Sequence, residues 1–372
     1  MSRYVLAPGS FAESLTPVEA AGAMAAGVHD ADPGAETTCC PVGDDGAGLA
    51  QTLASALGAE PVAVPVHDAV GKPVTGVIHH AGGTVVLDAA SACGLELVEP
   101  ARRDVLGSDS YGAGELISAA LDAGARRLVI GLGETATNDG GAGMLAALGV
   151  RFLDAREEPV ATTPAGLARL ASVDVSGLDP RLADLEVEAV CDVDAPLLGA
   201  HGTSATTGPR KGATPQHVTL LDTLLTRLAA LCGTRGVSIS AAPGAGAAGG
   251  LGWAILTFLN GRMRSGVDLV IEASGLHAAL PGATAVLTGG DVIGVHGPAG
   301  STASGVAAAA GEPRVPVVVF TGPVPADAGA LLDHGVAELV AVAPPEDATP
   351  GGDEDTGRQL RAAVADWVRA RR

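Results

Sequence analysis

Four stretches of this chain carry side chains whose types and spacing can do chemistry. Asp192 and Asp194 stand two positions apart behind an apolar run, so at the end of a strand they share one face, where paired carboxylates can hold a cation such as Mg²⁺. Arg210 and Lys211 follow in a loop flanked by glycines, and a guanidinium fork beside an ammonium point charge suits a phosphate or carboxylate. Thr137, Asn138 and Asp139 precede Gly140 and Gly141. They can cap a helix starting there, while the glycines let a ligand approach the N–H groups of its positive end. Gly244, Gly246 and Gly249 spell G-x-G-x-x-G with Asp268 nineteen residues beyond, the outline of a dinucleotide-binding turn. Each has an ordinary alternative: a satisfied turn for the aspartates, a solvated surface for the basic pair, a capped helix for the polar turn, and close packing of small residues for the glycines.

These groups need strands and helices to position them. Short β-branched runs at 4–6, 62–66, 84–87, 127–132, 187–193, 267–271, 285–288, 315–320 and 338–342 read as strands, several apolar throughout, as expected where helices cover both faces of a parallel sheet. A helix opens at Thr16-Pro17 with Glu19 closing a capping box and Val18, Met24 and Val28 as its buried stripe. Thr214-Pro215 opens another, with Val218, Leu221, Leu224, Leu225, Leu228 and Leu231 at helical spacing. A third runs from about Gly114 to Ala123 and stops at Gly124 before the strand at 127–132. VSISA at 237–241 reads as strand-like, 344–357 as a solvated acidic loop, and Leu360, Val364 and Trp367 mark a final amphipathic helix.

At 372 residues and 47% hydrophobic, the chain is long enough for two domains, and with aromatics at 2% its core must be built from Ala, Val and Leu, which suits packed α/β layers. A formal charge of −20 opposes binding to nucleic acid or to an anionic membrane surface. Lysine occurs twice, at Lys72 and Lys211, so any anionic ligand depends on a local cluster of donors. Five cysteines without repeated C-x-x-C spacing point to a reduced cytosol, and the lack of a long apolar segment to a soluble cytoplasmic protein. No G-x-x-x-x-G-K-[ST] occurs, so a Walker-type phosphate loop is not expected.

The segment 108–154 contains SDSYGAGELI and GETATNDGGAGM, which resembles the glycerate kinase family's Ser-Thr-Tyr-Gly-Thr-Gly-Glu-Leu-Ile run and its Gly-Gly-Ser-Ala-Thr-Asn-Asp-Gly-Gly-Ala-Gly-Met. CDVDAPLL with GPRKGA, and PGAGAAGGLG followed by IEASGL, are similar to further family motifs in the same order. The resemblance implies an α/β protein of two domains: a flavodoxin-like parallel-sheet domain built from 1–68 and 283–372, with a second α/β domain, 69–282, inserted, and a cleft between them. It also implies transfer of the γ-phosphoryl group of ATP, with Mg²⁺, to a hydroxyl of glycerate or a similar small hydroxy acid. On that basis Asp192, Asp194, Lys211 and Asp44 are candidate catalytic residues, with Asp192 and Asp194 as metal ligands. Ser10, Thr137, Asn138, Asp139, Gly140, Arg210, Gly244 and Gly246 are candidate substrate- or nucleotide-binding residues. A homo-oligomer is left open.

The chain departs from the family pattern at several polar positions. Gly9 and Ala12 stand for an Asp and a Lys, Ala47 for a Glu three residues after the retained Asp44, Ala195 for an Asn and Arg210 for a Gln. The segment 288–294 lacks a Glu, an Arg and an Asp in register, with Asp291 nearby, and Glu134 replaces a Gly beside the Thr-Asn-Asp turn. These losses motivate a second reading, a repurposed homologue that binds or regulates without catalysis. A dinucleotide-dependent oxidoreductase built on Gly244–Gly249 is the third.

Overall fold

A computed structural model describes residues 1–11, 15–42, 49–191, 193–290, 302–311, 314–322, 329–342 and 353–372. Strands are numbered in chain order: β1 Arg3–Leu6, β2 Glu36–Cys39, β3 Glu60–His67, β4 Pro73–Ala81, β5 Thr84–Asp88, β6 Arg127–Gly131, β7 Arg151–Leu153, β8 Ser172–Asp174, β9 Glu186–Val190, β10 Arg262–Arg264, β11 Ala285–Gly289, β12 Val317–Thr321 and β13 Val336–Ala341. Close contacts divide the chain into two compact units, Met1–Asp44 with Ser265–Arg372, and Asp45–Arg264. The boundaries drawn from sequence lay at 68/69 and 282/283. In the structure β3 is hydrogen-bonded along its whole length to β4 of the second unit.

The first unit is a parallel sheet in the order β13-β12-β11-β1-β2. Counted within the unit this is the 2-1-3-4-5 order of flavodoxin-like folds, as expected for a domain made from the two chain ends. β11 and β12 are buried along their whole length, which is why their sequences run apolar without alternation. The helix Pro17–Ala31 packs on this sheet. Its capping box forms as read: the Thr16 hydroxyl accepts from the Glu19 N–H, and Glu19 Oε2 accepts from the Thr16 N–H at 2.9 Å. Met24 and Val28 are fully buried, but Val18 is 63% exposed, because at the second position of the helix it points away from the stripe they define. Val267–Ile271, read as a strand, is instead part of the helix Gly266–Ser274. Ser265 caps it, and burial of Val267, Leu269, Val270 and Ile271 outweighs the modest β preference of the branched side chains. The final helix, Asp353–Arg369, buries Leu360 and Val364 and half-buries Trp367.

The second unit holds a six-stranded sheet, β10-β9-β6-β5-β4-β3, parallel from β10 to β5 and antiparallel through β4 and β3, with a separate β7-β8 ribbon. Its helices include Tyr111–Asp122, which hands over to β6 through Gly124 in the left-handed conformation, and Pro215–Leu231, which buries Leu221, Leu225 and Leu228 while Leu231 stays exposed. Residues 237–239 of the strand-like VSISA belong to the helix Gly233–Ile239. Its Gly236 carbonyl accepts from the buried Trp253 indole at 2.9 Å, so tertiary packing decided the element. Among the described residues no helix is long and apolar enough to cross a membrane.

Three arginines from β6 and β10 converge on one fully buried carboxylate in β9, Glu188. Arg127 Nε donates to Oε2 at 2.8 Å, while Arg262 and Arg264 donate to Oε1 at 2.8 Å each. Burial alone would raise this carboxyl, but the hydrogen bonds and charges of Arg262 and Arg127 more than offset it and hold it below its usual 4.5. A depressed carboxyl stabilises the fold above its unfolded value and loses that contribution as pH falls. The arginines keep access to solvent, so Glu188→Ala strands them only partly. It should lower the urea midpoint of this unit by the equivalent of about 2 kcal/mol, with a smaller loss at acid pH.

Candidate functional site

β6 ends at Gly131 and the chain continues through Glu134 and Thr135 into the turn Thr137-Asn138-Asp139, all three of whose side chains are buried to within 1%. Gly140 and Gly141 follow with φ of 68° and 75°, a left-handed pair that a side chain would strain, and they start the short helix Ala142–Ala147. Asp139 organises this turn. Its Oδ2 accepts from the Ser110 N–H at 2.9 Å, the Ser110 hydroxyl at 2.8 Å and the Gly143 N–H at 2.9 Å, and its Oδ1 accepts from the Gly141 N–H at 3.1 Å. Ser110, which precedes the helix Tyr111–Asp122, in turn accepts from the Met144 N–H at 3.0 Å, so one carboxylate and one hydroxyl tie two helix starts together. Burial, then the charge of Asp109, pushes the Asp139 carboxyl up to about 6 against the opposing pull of these donors. The capping role read for Asp139 is what the hydrogen bonds express.

Lys211 enters the turn from the other side. Residues Gly208–Lys211 form a single tight turn closed by Gly212 at φ 93°, and the buried Lys211 ammonium donates to the Thr137 carbonyl at 2.7 Å. Burial lowers it to about 8, with the Cys93 and Asp139 charges acting the other way. One of its three donors is thus committed to Thr137. Beside it, the Asn138 Nδ2 donates to the Ser204 hydroxyl at 3.0 Å, whereas Asn138 Oδ1 is buried with no hydrogen-bond partner. An amide satisfied at one end and empty at the other, next to an ammonium with donors to spare, is unfavourable inside a protein unless a ligand or water completes it.

The glycine run packs against the same turn. Ala248, Gly249 and Gly250 all adopt left-handed backbone, and the Gly140 N–H donates to the Gly249 carbonyl at 3.0 Å. A Cβ on Gly249 would sit 2.0 Å from the Thr137 carbonyl oxygen, and one on Gly250 would sit 2.6 Å from the Gly140 Cα. Gly246 serves in the same way, its N–H bonded to the Ala195 carbonyl and its missing Cβ 2.3 Å from the Pro196 carbonyl oxygen, while Gly244 faces Met263. The spacing that imitates a dinucleotide fingerprint is accounted for by backbone approach. Asp268, its acidic counterpart, lies in the helix Gly266–Ser274, in the other unit.

The remaining candidates stand apart from these hydrogen bonds or outside the described residues. Arg210 is exposed and paired with Glu134. β9 stops at Val190, so the expected strand end at Asp192 and Asp194 falls short. Asp194 is exposed beyond it, and Asp192 lies outside the described residues. Asp44 and Asp291 also lie outside them. Ser10 belongs to the first unit. At the neighbouring Gly9 a Cβ would meet the Thr302 hydroxyl at 3.0 Å, so a buried threonine occupies the space beside the position where an acid was expected. Among the described residues no group of three His, Cys, Asp or Glu is placed to hold a metal ion. Ser204 and Ser110 were not singled out from sequence. Ser110 had a signal, a serine just ahead of a helix. Ser204, seven residues before Lys211, had none beyond proximity.

The sequence profile of the glycerate kinase family matches residues 4–371. A glycerate kinase of Bacillus subtilis (strain 168) is 41% identical over 345 residues, 92% of this chain and 90% of that protein. The glycerate 2-kinase of Escherichia coli (strain K12) is 38% identical over 344 residues, 91% of this chain and 90% of that one. A crystal structure of a protein assigned as glycerate kinase 2 in Salmonella typhimurium LT2 superposes with a TM-score of 0.89 at 37% identity, covering 99% of this chain and 98% of that chain. With the match running almost end to end and the Thr-Asn-Asp turn, Lys211 and the glycine run meeting in one place, the chain belongs to the glycerate kinase family.

Proposed function

We propose that this protein is a glycerate kinase that transfers the γ-phosphoryl group of ATP to a hydroxyl of glycerate. The observation that carries the reading is the half-satisfied pair of Asn138 and Lys211, a buried amide oxygen without a partner next to a buried ammonium with uncommitted donors. A small hydroxy acid matches both, its carboxylate or incoming phosphate accepting from Lys211 and its hydroxyl donating to Asn138 Oδ1. Arg210 adds a second cation at the exposed side.

Phosphoryl transfer asks the protein mainly to position the donor and acceptor oxygens and to stabilise charge, because the transition state is loose and little covalent chemistry falls to side chains. The hydroxyl oxygen bonds to the γ-phosphorus as the bond to ADP breaks, and the hydroxyl proton leaves to solvent. Asp139 is not free to accept it, since four donors already hold its carboxylate. Its role is to fix Asn138 and the Thr137 carbonyl in place. The described residues do not assemble a Mg²⁺ site. Asp192 and Asp194 stay as proposed carboxylates for a nucleotide-bound cation. The name of the E. coli relative points to the 2-hydroxyl, which is the acceptor we propose, in a cytoplasmic enzyme. Phosphorus NMR of the product made from Mg·ATP and D-glycerate tests this: 2-phosphoglycerate is expected, and ATP left intact by folded protein would overturn the reading in favour of a repurposed homologue. No observation in the structure favours that homologue, nor a nicotinamide-dependent oxidoreductase.

A further inference from the structure

The glycine-flanked loop that supplies Lys211 also supplies Arg210, and in the ligand-free protein Arg210 is already occupied by an anion of the protein's own. Its Nη1 donates to Oε1 of Glu134, which sits on the segment joining β6 to the Thr-Asn-Asp turn. Both backbones are pinned. The Glu134 carbonyl accepts from the Leu95 N–H at 3.0 Å, and the Arg210 carbonyl accepts from Arg103 Nη1 at 3.2 Å. A Cβ on Gly212 would meet the Arg103 carbonyl oxygen at 2.7 Å, so the loop cannot shift far in that direction. The two side chains are another matter, each 59% exposed, and an ion pair in that much water contributes little and exchanges partners easily.

We propose that Glu134 is an internal competitor for the anionic substrate, a carboxylate that holds the Arg210 guanidinium in the empty protein and yields it to the incoming carboxylate or phosphate. The inference rests on the proposed role of Arg210 and Lys211 as the anion-binding pair. A guanidinium fork recognises any carboxylate in the same planar geometry, so substrate and Glu134 present it with equivalent partners. Glu134 also acts on Lys211: its charge is among those that favour the buried ammonium, as Arg210 is among those that oppose it. Exchange therefore replaces one anion near Lys211 by another, keeps the local charge balanced in a chain of net charge −20, and needs only side-chain rotation. Glu134 sets how weakly the site binds, which makes it an affinity-tuning residue and places it outside the catalytic groups.

The test compares the parent protein with Glu134→Gln, Arg210→Ala and the double variant, measuring D-glycerate binding by calorimetry and, in parallel, KM and kcat with Mg·ATP. Glu134→Gln should tighten D-glycerate about two- to fivefold, the worth of an exposed ion pair, with the change in KM rather than kcat. The gain should vanish when Arg210 is absent. Unchanged or weaker binding by Glu134→Gln overturns the proposal, as does an equal gain in the Arg210→Ala background, which would mark a general charge effect. Calorimetry needs no turnover, so the two readings fail separately. A gain in binding without ADP release rejects the kinase function alone, turnover with no response to Glu134→Gln rejects the competitor alone, and no binding to any variant rejects both.

Discussion

Asp139→Ala is expected to lower the stability of the unit Asp45–Arg264 by about 3–5 kcal/mol. The carboxylate accepts four hydrogen bonds in a place with no exposure, from the N–H groups of Ser110, Gly141 and Gly143 and from the Ser110 hydroxyl. Truncation leaves those donors buried without an acceptor, and the cost of stranded polar groups exceeds the worth of the bonds themselves. Two helices lose their tie as well, since Ser110 bridges from Asp139 to Met144. Urea denaturation with a probe in this unit should show the shift, and a loss under about 1 kcal/mol would mean that water replaces the carboxylate. The pH dependence has a definite sign. Because burial raises the folded carboxyl from 3.8 to about 6, the folded state holds the proton more tightly, and the associated stability is complete below about pH 4 and is lost as pH rises through 6. That slope between pH 4 and 6 should disappear in the variant.

Lys211→Met should cut kcat/KM for glycerate by about a hundredfold to a thousandfold, the usual effect of removing one charge-stabilising donor from a transition state. Stability should move the other way or not at all. Holding an ammonium in a buried position works against the fold, as its lowering from 10.5 to about 8 records, and methionine fills the space without the charge. A depressed ammonium contributes stability above its unfolded value and loses it as pH falls through the folded one, so at neutral pH the lysine is a burden on the fold. A lysine kept for structure alone, as a pin for the Thr137 carbonyl, would give the reverse: activity falling only in step with stability. The same lowering predicts that glycerate binding weakens above about pH 8 as the ammonium loses its proton. In Lys211→Arg that limb should move beyond the accessible range.

Much of this architecture can be read from the chain because local and tertiary preferences agree there. β11 and β12 are continuous apolar runs buried on both faces, and the Thr16 and Thr214 caps announce helices that then pack as expected. The errors fall where they disagree. Val267–Ile271 has strand-forming residue types at helical spacing, and a single cap at Ser265 with a buried face settled the element. Val18 belongs to the first helical turn yet faces solvent, which its hydrophobicity could not reveal. In the site, the turn 137–140 and Lys211 were legible as polar and basic residues set among glycines. Their meeting was not, because Lys211 reaches Thr137 across 74 positions of sequence and Asn138 reaches Ser204 across 66. Glu134 could be read as an added negative charge. That its partner would be Arg210, itself a candidate, is a tertiary fact.

ADP release by the purified protein with Mg·ATP, measured with and without D-glycerate, tests the account most directly. Release that depends on D-glycerate in the parent protein and falls at least a hundredfold in a folded Lys211→Met sample is the predicted result. Equal release from parent and variant would remove Lys211 and its turn from the mechanism, and no release from a folded parent at saturating glycerate would contradict the kinase function itself.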